Sequence, residues 1–199
     1  MRSIWERDPH NFDHIMLWAA CTLCFFGFLR SGEISVPSDN CYDPGAHLSL
    51  TDVAVDNLSD PSVLQVRIKA SKTDPFRKGV DIFLGRTGDD ICPISAMLAY
   101  VAVRGDEPGP LFRFANGKPL TRDRLVTAVR VALSAAGRSE GHYAGHSFRV
   151  GAATTAAQCG IPDSAIQTLG RWKSAAYLAY VRIPREKLAA ISRTLSTPP

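Results

Sequence analysis

Residues 141–182 read GHYAGHSFRVGAATTAAQCGIPDSAIQTLGRWKSAAYLAYVR, and their spacing of helix signals and stops sets the pattern for the chain. A loop with Gly and His (Gly137 to Gly145) gives way to a helix expected from about Ser147 to Cys159, with Gly160 as its stop. Pro162 opens a short helix to Leu169, and Tyr177 and Tyr180 fall on another short helical stretch. Three residues apart at a helix start, the His146 imidazole and the Arg149 guanidinium share one face. A helix-start histidine and a surface arginine would satisfy the same spacing, so His146-Ser147-Phe148-Arg149 decides nothing alone.

Working outward, the N-terminal part is also helical. A helix is expected from about Asn11 to Leu29, with Asn11 or Asp13 near its cap and Gly32 soon after its end. Its uncharged run, Ile15 to Leu29, would span about 22 Å, short of the roughly 30 Å of a bilayer core, so it reads as a buried helix. A short strand is expected near His47 to Val55. The clearest strand signal follows: Leu64, Val66, Ile68 and Ala70 alternate with Gln65, Arg67 and Lys69, and Val80, Ile82 and Leu84 alternate after a turn at Thr73 to Gly79. The loop joining these two strands carries Lys72, Arg77 and Lys78.

Pro93 opens a helix through Val103, Asn116-Gly117 marks a turn, and Thr121 caps a helix carrying Leu125, Val126, Val129 and Leu133. Pro184 starts a last helix with the stripe Leu188, Ile191 and Leu195. The expected fold class is α+β and mostly helical, with one small antiparallel sheet. Without an internal repeat or a linker, residues 1–199 read as a single domain.

Charge is unevenly placed. The chain carries 23 Lys+Arg and 19 Asp+Glu, net +4. Residues 1–99 hold 9 basic and 13 acidic side chains, whereas residues 100–199 hold 14 and 6, so a net −4 half precedes a net +8 half. Such a split permits a polyanionic partner for the second half. With 45% hydrophobic residues the chain is no disordered tail. Cys21, Cys24, Cys41, Cys92 and Cys159 form no regular disulfide framework, which points to a reduced, intracellular protein. Cys21 and Cys24 have metal-pair spacing but lie in the most apolar helix and read as core. His142 and His146 lack the HExxH order, and Gly79, Gly85 and Gly88 match no phosphate-binding loop. No metal and no cofactor is expected.

Arg30 ends an apolar run in Gly27-Phe28-Leu29-Arg30-Ser31-Gly32-Glu33, where its plainest role is to pair with Glu33. Leu169-Gly170-Arg171-Trp172 precedes Tyr180, with Arg182 just beyond. Taken in order, from about residue 10 to 195, these motifs resemble the tyrosine recombinases, the phage-integrase type of site-specific recombinase. Leu29-Arg30-Ser31-Gly32-Glu33 is similar to that family's first-arginine motif, Lys72 to its sheet-turn lysine, and His146-Ser147-Phe148-Arg149 to its H-x-x-R box. Tyr180, ten residues after Gly170, matches the spacing to the nucleophilic tyrosine. The block GRWKSAAYLAYVR looks most like recombinases of eukaryotic mobile elements, the DIRS-like and Crypton kinds, which would imply a nuclear location.

The resemblance implies a catalytic-domain fold that cuts and rejoins DNA through a 3′-phosphotyrosyl intermediate, in recombination or integration. Arg30 and Arg149 would hold the scissile phosphate, Lys72 would protonate the leaving 5′ oxygen, His146 would assist proton movement, and Glu33 would orient Arg30. Lys69, Arg77 and Lys78 are the competing turn cations; the resemblance selects Lys72. It also selects Tyr180 over Tyr177, which is then packing. Arg122, Arg124, Arg130 and Lys173 are candidate contacts to the backbone of double-stranded DNA. The last helix would dock on a neighbouring protomer in a DNA-bound tetramer, with no membrane involved.

Two departures stand out. The family usually has His or Trp directly after the glycine, where this chain has Arg171, with Trp172 one residue later; either could take the place. The ten residues before the first helix also cannot supply the N-terminal DNA-clamping domain usual in the family. A recombinase-derived module that grips DNA without cutting, and a type IB topoisomerase, are the alternative readings. A metal-dependent hydrolase is a more distant one.

Overall fold

The computed structural model describes residue 8, residues 10–71, 74–139 and 141, and residues 143–181. Helix α1 (Phe12–Phe26) is the central element. Asn11 caps it, its side-chain oxygen accepting from the N–H groups of Asp13 (2.9 Å) and His14 (3.1 Å). Every residue from Ile15 to Cys24 is buried, so the helix is apolar all round because neighbours cover all of it. Cys21 and Cys24 lie within this core, and burial pushes the Cys21 thiol up to about 12 and Cys24 well above its usual range.

The helix ends at Phe26, three residues short of the expected Leu29. Apolar periodicity continues through Phe28 and Leu29, but the chain turns away: Phe28 adopts a left-handed φ of 52°. Leu29 remains in the main core while Phe28 joins a separate cluster. A single turn, α2 (Ser31–Ile34), follows.

The sheet is antiparallel in the order β1 (Val53–Val55), β2 (Val63–Ile68), β3 (Val80–Gly85). The first strand is shorter than expected, because Leu50–Asp52 forms a 3-10 turn that Asp52 closes on the Ser49 N–H at 2.7 Å. Alternation sets the register of the hairpin, with Leu64 opposite Leu84 and Val66 opposite Ile82. These four and Ile68 face the core, while Arg67 and Phe83 face outward.

Helix α3 (Pro93–Arg104), with Pro93 at its start, packs along α1. Helix α4 (Arg122–Ala135) is capped by Thr121, whose hydroxyl accepts from the Arg124 N–H at 3.3 Å. Helix α5 (Ser147–Gln158) crosses α1 and carries Ala152 and Ala153, small enough to let α6 (Asp163–Leu169) and a 3-10 turn (Ala175–Ala179) close on it. There Phe28, Ala152, Ala153, Ile166 and Tyr177 form a second apolar cluster, with Trp172 and Tyr180 packed on it. No described helix is long and apolar enough to cross a membrane. Residues 182–199, with Arg182 and the expected stripe Leu188, Ile191 and Leu195, lie outside the described residues.

Candidate functional site

The site is built on two helix ends of the same kind. At the end of α1 the Leu29 N–H reaches back to the Cys24 carbonyl (2.9 Å) and the Phe28 N–H to Phe25 (3.2 Å). At the end of α6 the Trp172 N–H reaches the Gln167 carbonyl (3.0 Å) and the Arg171 N–H that of Thr168 (3.0 Å). Both are Schellman closures, which ask for a left-handed residue where glycine is favoured. Here that residue is Phe28 (φ 52°) in one and Arg171 (φ 55°) in the other. A left-handed non-glycine residue costs about 1–2 kcal/mol. Such strain persists only where surrounding contacts hold it.

Arg149, from the first turn of α5, supplies part of that hold. It is 1% exposed. Its guanidinium donates to the Phe28 carbonyl at 2.7 Å and to the Gly170 carbonyl, so it ties the two helix ends together. Carbonyls at helix C-termini carry partial negative charge and favour a cation there. The Trp172 ring covers the guanidinium, 4.1 Å from its carbon to the ring centroid. A Cβ on Gly170 would collide with that ring, so a larger residue there would displace the ring from the guanidinium. The Arg149 Nε and the Trp172 Nε1 are buried without a hydrogen-bond partner among the described residues.

Arg171 donates to the Gly27 carbonyl (3.1 Å) and to Glu33 Oε2 (3.2 Å). The same carboxylate oxygen accepts the Arg30 backbone N–H at 2.7 Å, and Oε1 lies 3.6 Å from the Arg30 guanidinium. Arg30 and Arg171 thus meet one carboxylate, and Arg149 lies near enough to feel the charge of all three groups. Burial lowers Arg149 to about 10, and the positive charges of Arg30 and Arg171 add to the effect. Burial also lowers Arg171, with Glu33 opposing it. The cluster is short of negative charge, which is the electrostatic signature of an anion site.

Tyr180 stands at the edge of this cluster, its ring 5.3 Å from that of Trp172. Its backbone carbonyl accepts from the Thr154 hydroxyl (3.1 Å), fixing the chain there to α5. Tyr177 is buried in the second apolar cluster, and burial, together with a hydrogen bond to Asp163, raises its hydroxyl pKa. It packs, as expected.

Beside the cluster opens a cleft of about 400 Å³, whose lining includes Arg30, His47, Ser71, Arg122, Gly145 and His146. His146 is the cap residue of α5 and is exposed there. Lys72 lies outside the described residues, but its neighbours Ala70 and Ser71 line the cleft. Of the competing cations, Lys69 is tied to Asp52 at 2.6 Å and Arg77 lies 3.7 Å from Asp43.

The four candidate backbone contacts divide. Arg124 is paired with Asp39 (2.9 Å), and Arg130 donates twice to the Tyr143 carbonyl (2.8 and 3.1 Å), so both are engaged internally. Arg122 is exposed in the cleft with no hydrogen-bond or ion-pair partner among the described residues. Lys173 lines a smaller pocket of about 260 Å³ with Lys78 and Arg171.

Sequence reading missed His47 and Gly145. A Cβ on Gly145 would meet Ser31 Oγ at 2.5 Å and Arg122 Nε at 2.9 Å, so this glycine makes room for the cleft wall. His47 belongs to no motif, and only the fold brings it to the cleft. Between Arg171 and Trp172 the structure gives each a place: Arg171 holds Glu33, while Trp172 covers Arg149 and faces Tyr180. Among the described residues no group of three or more His, Cys, Asp or Glu side chains could hold a metal ion.

No protein-family model and no curated protein matches the sequence. Solved structures do match. The XerH site-specific recombinase bound to palindromic difH substrate, a post-cleavage complex, superposes with TM-score 0.72 and 16% identity, over 98% of this chain and 50% of that one. The XerA recombinase gives 0.67 and 16%, over 100% of this chain and 62% of that one. An Flpe W330F mutant in complex with a DNA Holliday junction gives 0.55 and 15%, over 96% and 46%. This chain therefore spans about half to three-fifths of the length of these proteins, and its fold is that of the tyrosine-recombinase catalytic domain.

Proposed function

We propose that this chain cuts and rejoins DNA strands at specific sites through a 3′-phosphotyrosyl intermediate on Tyr180. The observation that carries the reading is the group of Arg30, Arg149 and Arg171 near the single carboxylate of Glu33, with the Tyr180 ring at its edge. Arginine forks bind the non-bridging oxygens of a phosphodiester and keep their charge. A phosphate there would supply the missing negative charge.

In the reaction the Tyr180 oxygen attacks phosphorus and the bond to the 5′ oxygen breaks. The phenolic proton passes toward His146, and Lys72 protonates the leaving 5′ oxygen. Reversal of these steps rejoins the strand, because the phosphotyrosyl ester keeps the bond energy. A free tyrosine has a pKa of about 10, so nearby guanidinium charge is needed to favour the phenolate. Arg30 and Arg149 stabilise the charge that builds on the phosphorane. The buried Trp172 Nε1, without a hydrogen-bond partner among the described residues, can donate to a phosphate oxygen once Arg149 and its covering ring move, and Glu33, held by Arg171, orients Arg30. Arg122 and Lys173 contact flanking phosphates. A role in a eukaryotic mobile element, and a tetramer joined through the C-terminal segment, extend the same proposal.

One observation favours a second reading, a module that grips DNA without cutting it. Arg149 is 1% exposed and bonded to two carbonyls. Cleavage requires it to turn to the phosphate. A nicked duplex that traps the covalent product separates the two: the wild-type chain forms a DNA adduct and Tyr180→Phe forms none. DNA binding without any adduct would decide for the second reading, and an adduct on Tyr177 would overturn the assignment of the nucleophile.

A further inference from the structure

Among the described residues the cleft is lined by two imidazoles, and one of them belongs to a motif. His146 lies beside Gly145 at the start of α5. His47 shares its part of the wall with Ala46, Ala70 and Ser71, where β2 leads into the loop that carries Lys72. Its position is fixed. Leu48 is buried in the main core, the His47 backbone carbonyl accepts from the Lys69 ammonium (3.3 Å), and the ring lies against Tyr42.

Its hydrogen bonding also sets its tautomer. The Asp43 backbone N–H donates to His47 Nδ1 at 2.9 Å. A nitrogen that accepts a hydrogen bond carries no proton, so in the neutral ring the proton is on Nε2. No hydrogen-bond partner for Nε2 occurs among the described residues. The charged groups facing the ring are Asp43, Arg77 and Lys69. Burial outweighs Asp43, and the two cations reinforce burial, so the imidazole is held neutral. Protonating Nδ1 would set two N–H groups against each other. His47 is therefore poorly placed to shuttle protons but presents a fixed, neutral N–H.

We infer that His47 is a further substrate-binding residue of this site, whose Nε2–H donates to an oxygen of the bound phosphodiester on the side of the cleft walled by Ala70 and Ser71. The inference rests on the proposed reading that a DNA phosphate occupies the cleft. A neutral donor there suits the geometry, because it adds a directed hydrogen bond without adding another positive charge to a cleft that already holds Arg30 and Arg122. It also divides the work between the two histidines. His146 would move a proton, whereas His47 holds an oxygen.

Two measurements on the full 199-residue chain test this. Nitrogen-15 NMR of the imidazoles reads the tautomer directly, with His47→Gln used to assign the signal. The expected result is an unprotonated Nδ1, a protonated Nε2, and a shift of the Nε2–H resonance when a nicked duplex is added. A protonated Nδ1, or an Nε2–H that does not respond to the duplex, overturns the inference whether or not DNA is cut. In single-turnover cleavage at saturating duplex, His47→Ala should slow adduct formation by roughly tenfold to a hundredfold. His47→Gln, whose side-chain N–H reaches about as far, should recover most of that rate. An unchanged rate in His47→Ala would also overturn it. If Nε2–H responds to the duplex but the wild type forms no adduct, His47 keeps its binding role and the strand-cutting reading falls instead.

Discussion

Arg104 and Arg149 are both buried, 4% and 1% exposed, yet their surroundings differ in kind. Arg104 ends α3 and staples the loop that follows, donating to the carbonyls of Leu111, Gly105, Glu107 and Pro110 at 2.8 to 3.0 Å. All of its nitrogens are used. Arg149 has an Nε without a partner among the described residues, lies near two other arginines, and props two strained helix ends. A structural arginine is satisfied by the loop it organises. An arginine left short of partners among like charges has capacity for a further acceptor.

Substitution should separate the two most sharply. Arg149→Ala is expected to lower the cleavage rate by about 10²–10³, since on the proposed mechanism it removes charge from the reacting phosphate. Its cost in stability should be smaller than that of Arg104→Ala, because it also relieves repulsion with Arg30 and Arg171. Arg104→Ala strands several buried carbonyls and should cost about 3 kcal/mol, with the cleavage rate per folded molecule unchanged. Urea denaturation and single-turnover kinetics on both variants check the contrast. The reverse pattern would show that Arg149 is the staple.

The strained closure at Arg171 gives a finer test. Glycine there relieves the left-handed backbone, and both Arg171→Gly and Arg171→Ala lose the bond to Glu33. Arg171→Gly should therefore be more stable than Arg171→Ala by about 1 kcal/mol while sharing its loss of activity. Equal stabilities would mean that the φ of 55° carries no strain.

How far the sequence could foresee these regions also differs. Alternation in Leu64–Ile68 and Val80–Leu84 specified the hairpin, and Asn11, Pro93 and Thr121 marked their helix starts, because pleat and capping are local effects. The helix ends of the site were less legible. Phe28 and Arg171 occupy positions where local rules ask for glycine, so α1 reads as running to Leu29 when it stops at Phe26. Arg30, His146, Arg149 and Tyr180 were put forward by motif order, and the structure places Arg30 and His146 in the cleft wall and Arg149 and Tyr180 against Trp172. The bond from Arg171 to Glu33 joins residues 138 apart, and His47 reaches the cleft only through the packing of its loop. Nor does a sequence reveal that Arg124 and Arg130 are already engaged while Arg122 has no partner among the described residues.

The smallest expected effect concerns pH. Burial lowers the His47 pKa in the folded state below its unfolded value of about 6.5. As pH falls through that value the unfolded chain takes up the proton first, so stability should fall with pH there. His47→Gln should flatten this part of the profile. A wild-type profile that is level between pH 7 and 5.5, or that rises as pH falls, would show that the ring is not held neutral.

The contrast between the two buried arginines can be read in one experiment, the nitrogen-15 spectrum of arginine Nε–H groups during titration with a short duplex. If the cluster awaits a phosphate, the Arg149 Nε–H resonance shifts and its solvent exchange slows at saturation, while that of Arg104 stays in place. An Arg149 signal unmoved by saturating duplex, or equal shifts at both arginines, would contradict the account.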